Sequence, residues 1–170
     1  MKTLNKTLFV IGFMGAGKSS VSAGLSRALN VPTVEMDAEI VRREGMPITE
    51  IFARKGEEYF RACETALLKE LGEGAPCIVS CGGGVAMREQ NRKLMREIGT
   101  VLLLTAAPET ILARVKDSTE RPLLNGHMDV DYITGLMSAR RPNYEAAATL
   151  IVDTSPRTVA EVCEEVLKRL

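Results

Sequence analysis

Short apolar segments alternate with longer amphipathic stretches along the whole chain. A brief, nearly continuous apolar run is typical of a parallel strand that is covered on both faces. The predicted strands cover residues 7–11, 33–36, 77–81, 101–105 and 150–152. Their alternation with helices predicts an α/β fold, a doubly wound, five-stranded parallel sheet flanked by helices. Ligands bind such a sheet at the carboxyl ends of its strands, so residues that directly follow a strand are the first candidates for a site.

The stretches between the strands repeat their apolar residues with the helical period. Behind the first strand, Val21, Leu25, Ala28 and Leu29 fall on one face, which predicts a helix packed on the sheet. Near the C-terminus the same spacing joins a longer apolar stripe. Its members are Val159, Val162, Cys163, Val166, Leu167 and Leu170. This stripe predicts core packing and not a cofactor site.

Length and composition limit the classes of function. A chain of 170 residues suits one domain with a single core, and no repeat or polar linker divides it, so we expect residues 1–170 to form one domain. Lys and Arg balance Asp and Glu at 22 each and Trp is absent, which argues against a nucleic-acid groove. No apolar run approaches the roughly 20 residues that cross a membrane. We expect a cytoplasmic monomer that binds neither nucleic acid nor a membrane.

The cysteines do not indicate a metal or disulfide framework. Cys63, Cys77, Cys81 and Cys163 form no C-x-x-C pair, and the chain has only one histidine, His127, to join them. We therefore expect reduced thiols, as in cytosolic proteins generally.

A complete G-x-x-x-x-G-K-S sequence runs from Gly12 to Ser19, directly after the first predicted strand. A strand, a glycine-rich turn and a helix are the context that a phosphate-binding P-loop requires. Glycine lets backbone N–H groups converge on phosphate oxygens, Lys18 can reach the β- and γ-phosphates, and the Ser19 hydroxyl can bind Mg²⁺. The alternative is a glycine-rich turn before an ordinary helix, but eight positions in this setting seldom align by accident. We expect a nucleotide with Mg²⁺.

Three further groups of residues are candidates for the rest of the site. Glycines 82–84 directly follow the third predicted strand, where they form either a structural turn or a close approach to a ligand. Arg61 and Glu64 share a helix face, so the acid can fix the guanidinium, unless the two form only a surface ion pair. Arg140 and Arg141 precede Pro142 and Tyr144 at the end of a helical stretch, and a solvated basic helix end is the alternative there.

The segment 116–128 is polar and is broken by Pro122 and Gly126. This pattern predicts a mobile loop with Arg121 at its centre. Phosphoryl-transfer enzymes commonly use such a lid to exclude water and to bring an arginine to the transferred group. We interpret His127 as a solvated loop residue, because this chemistry needs no imidazole.

Taken in order, these motifs resemble those of shikimate kinases, P-loop enzymes that phosphorylate the 3-hydroxyl of shikimate in aromatic amino-acid biosynthesis. The resemblance covers almost the whole chain. It rests on the P-loop, on Asp37 at the second acid of a D-x-D, on Phe60-Arg61-x-x-Glu64, on glycines 82–84, on Arg121-Pro122-Leu123-Leu124 and on Arg140-x-x-x-Tyr144. The chain departs from the pattern at Glu35, where the family has the Asp that holds Mg²⁺ through water. The longer side chain puts the geometry of the metal in question.

The resemblance also implies roles for single residues. Asp37 would bind the shikimate hydroxyls and accept a proton, while Arg61 and Arg140 would grip the carboxylate. The catalytic set would be Lys18, Asp37 and Arg121. The backbone at Gly83 would help to seat the ring, and the substrate site would include Gly82, Gly83 and Gly84. The ATP site would comprise Gly15, Ala16, Gly17, Lys18, Ser19, Ser20, Arg114, Arg121, Pro156 and Arg157. Ser19 and, through water, Glu35 would hold Mg²⁺. A substrate-binding segment over about 36–64 and a lid over about 116–128 are also implied.

Two other functions are compatible with the P-loop. One is a different small-molecule kinase, such as a gluconate kinase or a nucleoside monophosphate kinase, whose substrates are also anionic. The other is a nucleotide-binding module without catalysis, which only Glu35 favours. The presence of Lys18, Ser19, Asp37 and Arg121 together argues against that module.

Overall fold

Five parallel strands form one sheet in the order β2-β3-β1-β4-β5. The computed structural model describes residues 3–116 and 129–170. The strands are β1 (Thr7–Ile11), β2 (Thr33–Glu35), β3 (Ile78–Ser80), β4 (Gly99–Thr105) and β5 (Leu150–Asp153). The predicted α/β architecture, a five-stranded parallel sheet flanked by helices, is confirmed.

Helices connect the strands and cover the sheet. They are α1 (Lys18–Leu29), α2 (Met36–Glu44), α3 (Ile48–Lys55), α4 (Glu57–Glu73), α5 (Glu89–Ile98), α6 (Pro108–Val115), α7 (Val130–Ala147) and α8 (Val159–Arg169), with a 3₁₀ turn at Val85–Met87. Within the described part of the chain, no helix is both long enough and apolar enough to cross a membrane.

The central strands and the edge strands differ in burial. All residues of β1 and β3 are buried, as predicted for strands covered on both faces. The edge strand β5 alternates instead, and its Ile151 is 45% exposed. The prediction of two covered faces is therefore wrong for the edges of the sheet. At the other edge β2 ends at Glu35, one residue earlier than predicted, because Met36 already begins α2.

The two predicted helical stripes are confirmed except at single positions. Val21, Leu25 and Leu29 of α1 are buried, but Ala28 is exposed. In α8 the buried residues are Val162, Cys163 and Val166, whereas Val159 and Leu170 lie in solvent at the two ends of the stripe. The two helices pack so closely that a Cβ on Gly24 of α1 would lie 2.7 Å from the Cys163 sulfur.

The cysteines are free thiols. Cys77, Cys81 and Cys163 are buried, and Cys63 is half-buried. Burial raises the pKa of the Cys81 thiol well above its usual range, so this sulfur stays protonated.

The register of the sheet brings the ends of three strands together. Val10 of β1 and Glu35 of β2 both pair with Ser80 of β3. The segments that leave the sheet at this level are the P-loop, the start of α2 and glycines 82–84, which we call the glycine triplet. Three segments far apart in the sequence thus meet at the carboxyl ends of the strands.

Candidate active site

The P-loop depends on glycine for both conformation and space. Gly12, Gly15 and Gly17 have φ values of 149°, 76° and 99°, in the region that side chains disfavour. A Cβ on Gly12 would lie 2.5 Å from the carbonyl oxygen of Leu104, and one on Gly15 would lie 2.8 Å from Val115. The loop therefore tolerates no side chain at these two positions without moving β4 or α6.

Lys18 and Ser19 begin α1, next to the loop. The Lys18 Nζ donates to the carbonyl oxygens of Gly12 at 2.8 Å and Phe13 at 3.1 Å. The Ser19 hydroxyl donates to Glu35 Oε2 at 3.1 Å. The ammonium thus lies inside the loop, and the Ser19 hydroxyl contacts the acid that ends the second strand.

The glycine triplet makes room for the side chains of the site. A Cβ on Gly82 would lie 2.8 Å from Asp37 Oδ1 and 3.0 Å from Glu64 Oε1. A Cβ on Gly84 would lie 2.4 Å from Nη1 of Arg61. Gly84 itself has an ordinary φ of −96°, so the backbone conformation there does not require glycine. These glycines are needed because acidic and basic side chains lie directly against the backbone.

Arg61 and Glu64 form the ion pair that their spacing predicts. The Arg61 Nη1 donates to Glu64 Oε2 at 2.9 Å, and Nη2 reaches the exposed Glu57 at 3.3 Å. Glu64 is 1% exposed and Arg61 is 18% exposed, so this is not a surface pair. The guanidinium also lies over the ring of Phe60, 5.4 Å from its centroid.

Burial dominates the electrostatics of Glu64. Desolvation raises the pKa of this carboxyl above its usual range, the nearby charge of Asp37 raises it further, and the Arg61 guanidinium only partly offsets both. The Oε1 atom has no hydrogen-bond partner among the described residues, and it faces the triplet beside Asp37. The carboxyl therefore binds a proton more readily than an exposed glutamate does.

Arg140 and Tyr144, one turn apart on α7, contact the middle glycine. The Tyr144 hydroxyl donates to the Gly83 carbonyl at 2.6 Å, and the Arg140 Nη1 donates to the same oxygen at 3.4 Å. The Arg140 guanidinium also lies over the ring of Phe13 in the P-loop, 5.8 Å from its centroid. Arg140 therefore joins the triplet to the phosphate-binding loop.

Helix α7 continues past the point where the sequence predicts its end. Pro142 lies inside the helix, although it has no N–H to donate to the preceding turn. The neighbouring Arg141 is exposed and pairs with Glu145 at 2.7 Å. The plain alternative, a solvated basic side chain, is correct for Arg141 and not for Arg140.

Arg114 is the one predicted adenine-site residue that contacts the P-loop. Its Nη1 donates to the Gly15 carbonyl at 2.9 Å and to the Thr154 hydroxyl at 3.2 Å. The buried Thr154 hydroxyl also lies 2.9 Å from the Ala16 carbonyl. Sequence reasoning missed Thr154 because the predicted strand ends at Val152, whereas β5 continues to Asp153 and Thr154 is the residue that directly follows it.

The remaining predicted nucleotide residues are less closely tied to the loop. Pro156 and Arg157 are exposed, and Arg157 pairs with Glu165 on α8. Ser20 is exposed in the first turn of α1. Arg121, with most of the predicted lid, lies outside the described residues.

A buried polar contact behind the triplet was also missed. Asn91 of α5 is fully buried, and its Nδ2 donates to the Val85 carbonyl at 3.0 Å. Its Oδ1 accepts from the Thr65 hydroxyl of α4 at 2.7 Å. This contact joins the helix that carries Arg61 to the turn that follows the triplet. The available signal was an asparagine one turn before the buried Met95, on the buried face of α5.

Comparison with known proteins identifies the family. The sequence profile of the family described as "Shikimate kinase" matches residues 14–170. The chain belongs to the shikimate kinase family. The shikimate kinase of Dehalococcoides mccartyi (strain 195) is 43% identical over 167 residues, which are 98% of this chain and 94% of that protein.

Two solved structures agree with this assignment. The shikimate kinase of Acinetobacter baumannii in complex with shikimate has a TM-score of 0.90 and 29% identity, over 96% of this chain and 92% of that one. The enzyme of Aquifex aeolicus has a TM-score of 0.83 and 40% identity, over 95% and 94% of the two chains. The resemblance found from the motifs is confirmed, and with it the activity of the family, the ATP-dependent phosphorylation of the 3-hydroxyl of shikimate. The two other functions, a different small-molecule kinase and a nucleotide-binding module without catalysis, are therefore rejected.

Proposed function

We propose that shikimate binds between Arg61, Arg140, Asp37 and the glycine triplet, and that ATP binds at the P-loop beside them. The observation that carries this proposal is the position of Arg140, which contacts Gly83 of the triplet and lies over Phe13 of the P-loop. An acceptor gripped by Arg140 is therefore close to the phosphates. Two guanidinium groups suit a carboxylate, because their planar donors pair with its two oxygens and cannot lose their charge.

Asp37 is the candidate for the hydroxyl end of the substrate. It lies in the first turn of α2, and its carboxylate faces Gly82 beside Glu64. In the proposed reaction the 3-hydroxyl oxygen forms a bond to the γ-phosphorus while the bond to the β,γ-bridging oxygen breaks. The hydroxyl proton passes to Asp37. Since the nucleophile loses its proton late in a loose phosphoryl-transfer transition state, orienting the hydroxyl contributes more than basicity.

Lys18 and the P-loop N–H groups, from Gly15 to Ser20, are the proposed phosphate ligands. The two carbonyls that now hold the Lys18 ammonium belong to the loop itself, so the charge lies where phosphates would enter. Arg114, Pro156 and Arg157 are proposed to enclose adenine. Arg121, in the predicted lid over 116–128, would act on the phosphates. This residue lies outside the described part of the chain.

The oxygen donors at Ser19 and Glu35 fit Mg²⁺. Their side-chain oxygens are 3.1 Å apart, and both are hard ligands of the kind this ion selects. Among residues 3–116 and 129–170 no group of three or more His, Cys, Asp or Glu side chains is arranged for a metal. Few protein ligands are needed, because Mg²⁺ at a nucleotide keeps water and phosphate oxygens. When bound, the ion would neutralise charge on the β- and γ-phosphates.

Several broader expectations stay predictions alongside these roles. They are a single domain over 1–170 with a substrate-binding segment at about 36–64, a monomeric state and a cytoplasmic location. Within the described residues the buried apolar side chains form one core cluster, which agrees with a single domain.

The test compares adjacent arginines on α7. Arg140→Lys keeps the charge but loses the planar fork, so we expect the KM for shikimate to rise about tenfold or more while the KM for ATP stays within about twofold. Arg141→Lys is the matched control, because Arg141 is exposed and pairs only with Glu145 in the described structure. Coupled ADP release gives both constants, with gluconate and AMP offered as separate acceptors. Equal rises in both KM values for Arg140→Lys refute its assignment to the carboxylate.

A further inference from the structure

Tyr144 is a buried residue whose hydroxyl has no role in the proposed reaction. The residue is 5% exposed, and burial raises the pKa of its hydroxyl above the usual range, so it is a neutral donor at physiological pH. It makes a short hydrogen bond of 2.6 Å to the Gly83 carbonyl. The same oxygen accepts the much longer contact of 3.4 Å from Arg140.

The two donors differ in what each is free to do. A contact of 3.4 Å lies at the long end of hydrogen-bond distances and is weak, whereas one of 2.6 Å is short for an O–H donor. Because Tyr144 already satisfies the carbonyl, Arg140 can turn its donors away from Gly83 at little cost. Breaking a hydrogen bond to a buried polar group costs much free energy only when that group is left with no other partner.

We propose that Tyr144 is a positioning residue that leaves the Arg140 guanidinium available to the substrate carboxylate. Without the phenolic hydroxyl, Arg140 is the side-chain donor to the Gly83 carbonyl that remains in the described part of the chain, and it is drawn toward that oxygen. Carboxylate binding then has to break that contact first. The inference rests on the proposed function, since it assumes that Arg140 grips the carboxylate.

The Gly83 peptide is fixed by the same bond. In a planar trans peptide the N–H of Gly84 is rigidly opposed to the Gly83 carbonyl, so holding one end orients the other. Arg61 lies directly against Gly84, as the 2.4 Å from its Nη1 to a hypothetical Cβ shows. Tyr144 therefore acts on the part of the site that faces the carboxylate, not on the phosphate-binding loop.

The experiment compares Tyr144→Phe with the wild-type enzyme on two substrates, shikimate and its neutral carboxamide. Phenylalanine keeps the buried ring and removes the hydroxyl, with its hydrogen bond to the Gly83 carbonyl and its direct interaction with the Arg140 guanidinium, which partly offsets the rise that burial causes in the pKa of that hydroxyl. We expect kcat/KM for shikimate to fall about three- to tenfold, mainly through KM, as the loss of one hydrogen bond implies. The KM for ATP and the kcat/KM for the carboxamide should stay within about twofold of the wild-type values.

A second variant separates positioning from general destabilisation. Ile133→Val removes one buried methylene from the same helix without touching a polar group, which destabilises the fold. It should lower the melting temperature and leave the KM for shikimate unchanged. A rise in its KM equal to that of Tyr144→Phe overturns the inference, because helix stability alone would then explain the effect.

The remaining outcomes are equally decisive. If Tyr144→Phe loses as much activity on the carboxamide as on shikimate, or loses none on shikimate, Tyr144 does not act through Arg140 and the inference is wrong. If the wild-type enzyme treats the acid and the amide alike, no carboxylate is gripped at all. In that case the proposed function of Arg140 fails together with the inference.

Discussion

Replacing Gly84 by alanine tests whether glycine is needed at this position of the triplet to leave room for the Arg61 guanidinium. A Cβ at this position would lie 2.4 Å from Nη1 of Arg61 and 2.7 Å from both Cζ and Nη2. The backbone of Gly84 has φ −96° and ψ −5°, which alanine adopts without strain. The entire effect therefore falls on the guanidinium.

The size of the effect follows from these distances. To reach ordinary carbon–nitrogen contact, the guanidinium must move out by about 1 Å, and a shift of that size at a binding group can cost about a hundredfold in rate. The loss of a charge-assisted hydrogen bond gives a similar range, about 1.5–3 kcal/mol. We expect Gly84→Ala to raise the KM for shikimate about 10- to 100-fold with little change in the KM for ATP.

The assay is coupled ADP release at saturating co-substrate, with thermal unfolding of each variant. Gly83→Ala provides a graded comparison, because its Cβ would lie 3.3 Å from Arg140 and should give a smaller rise. Gly135→Ala in α7 is the control, since no described residue lies within 4 Å of its Cβ and the substitution should stabilise the helix by about 0.5–1 kcal/mol. A normal KM for shikimate in Gly84→Ala, or equal rises for both substrates, refutes the argument.

Two further predictions concern stability. Asn91→Leu leaves the Val85 carbonyl without its side-chain donor, whereas the Thr65 hydroxyl keeps the Arg61 carbonyl at 3.2 Å as an acceptor, so the free energy of unfolding in urea should fall by about 1–3 kcal/mol; an unchanged value contradicts this. Because burial raises the pKa of Glu64, the folded state holds its proton at pH values where the unfolded chain has lost it, and stability falls as pH rises through that window. Urea unfolding across pH 4.5 to 8 should therefore show Glu64→Gln gaining stability over wild type as pH rises, and a constant difference between the two contradicts the raised pKa.

The sequence predicts most of the fold because strand and helix periods are local. The nearly continuous apolar runs of β1 and β3 identify the centre of the sheet. The run at β5 looks the same, yet Ile151 is 45% exposed. Whether an apolar strand has one covered face or two depends on the strand order, which is a tertiary property that local composition does not contain.

The sequence likewise predicts only some of the contacts in the candidate site. The P-loop and the Arg61–Glu64 pair follow from short spacings, and the structure has both. The bond between Asn91 and Thr65 joins residues 26 positions apart, and the contact between Thr154 and Ala16 spans 138. Such partners are set by how helices and strand ends pack, so no spacing rule along the chain predicts them.

The most direct test of the central claim is a crystal structure of the enzyme with shikimate and a non-hydrolysable ATP analogue. We predict the carboxylate between the guanidinium groups of Arg61 and Arg140, and the 3-hydroxyl within hydrogen-bond distance of Asp37 and facing the γ-phosphate. A carboxylate bound elsewhere, with both guanidinium groups turned into solvent away from the P-loop, contradicts the account.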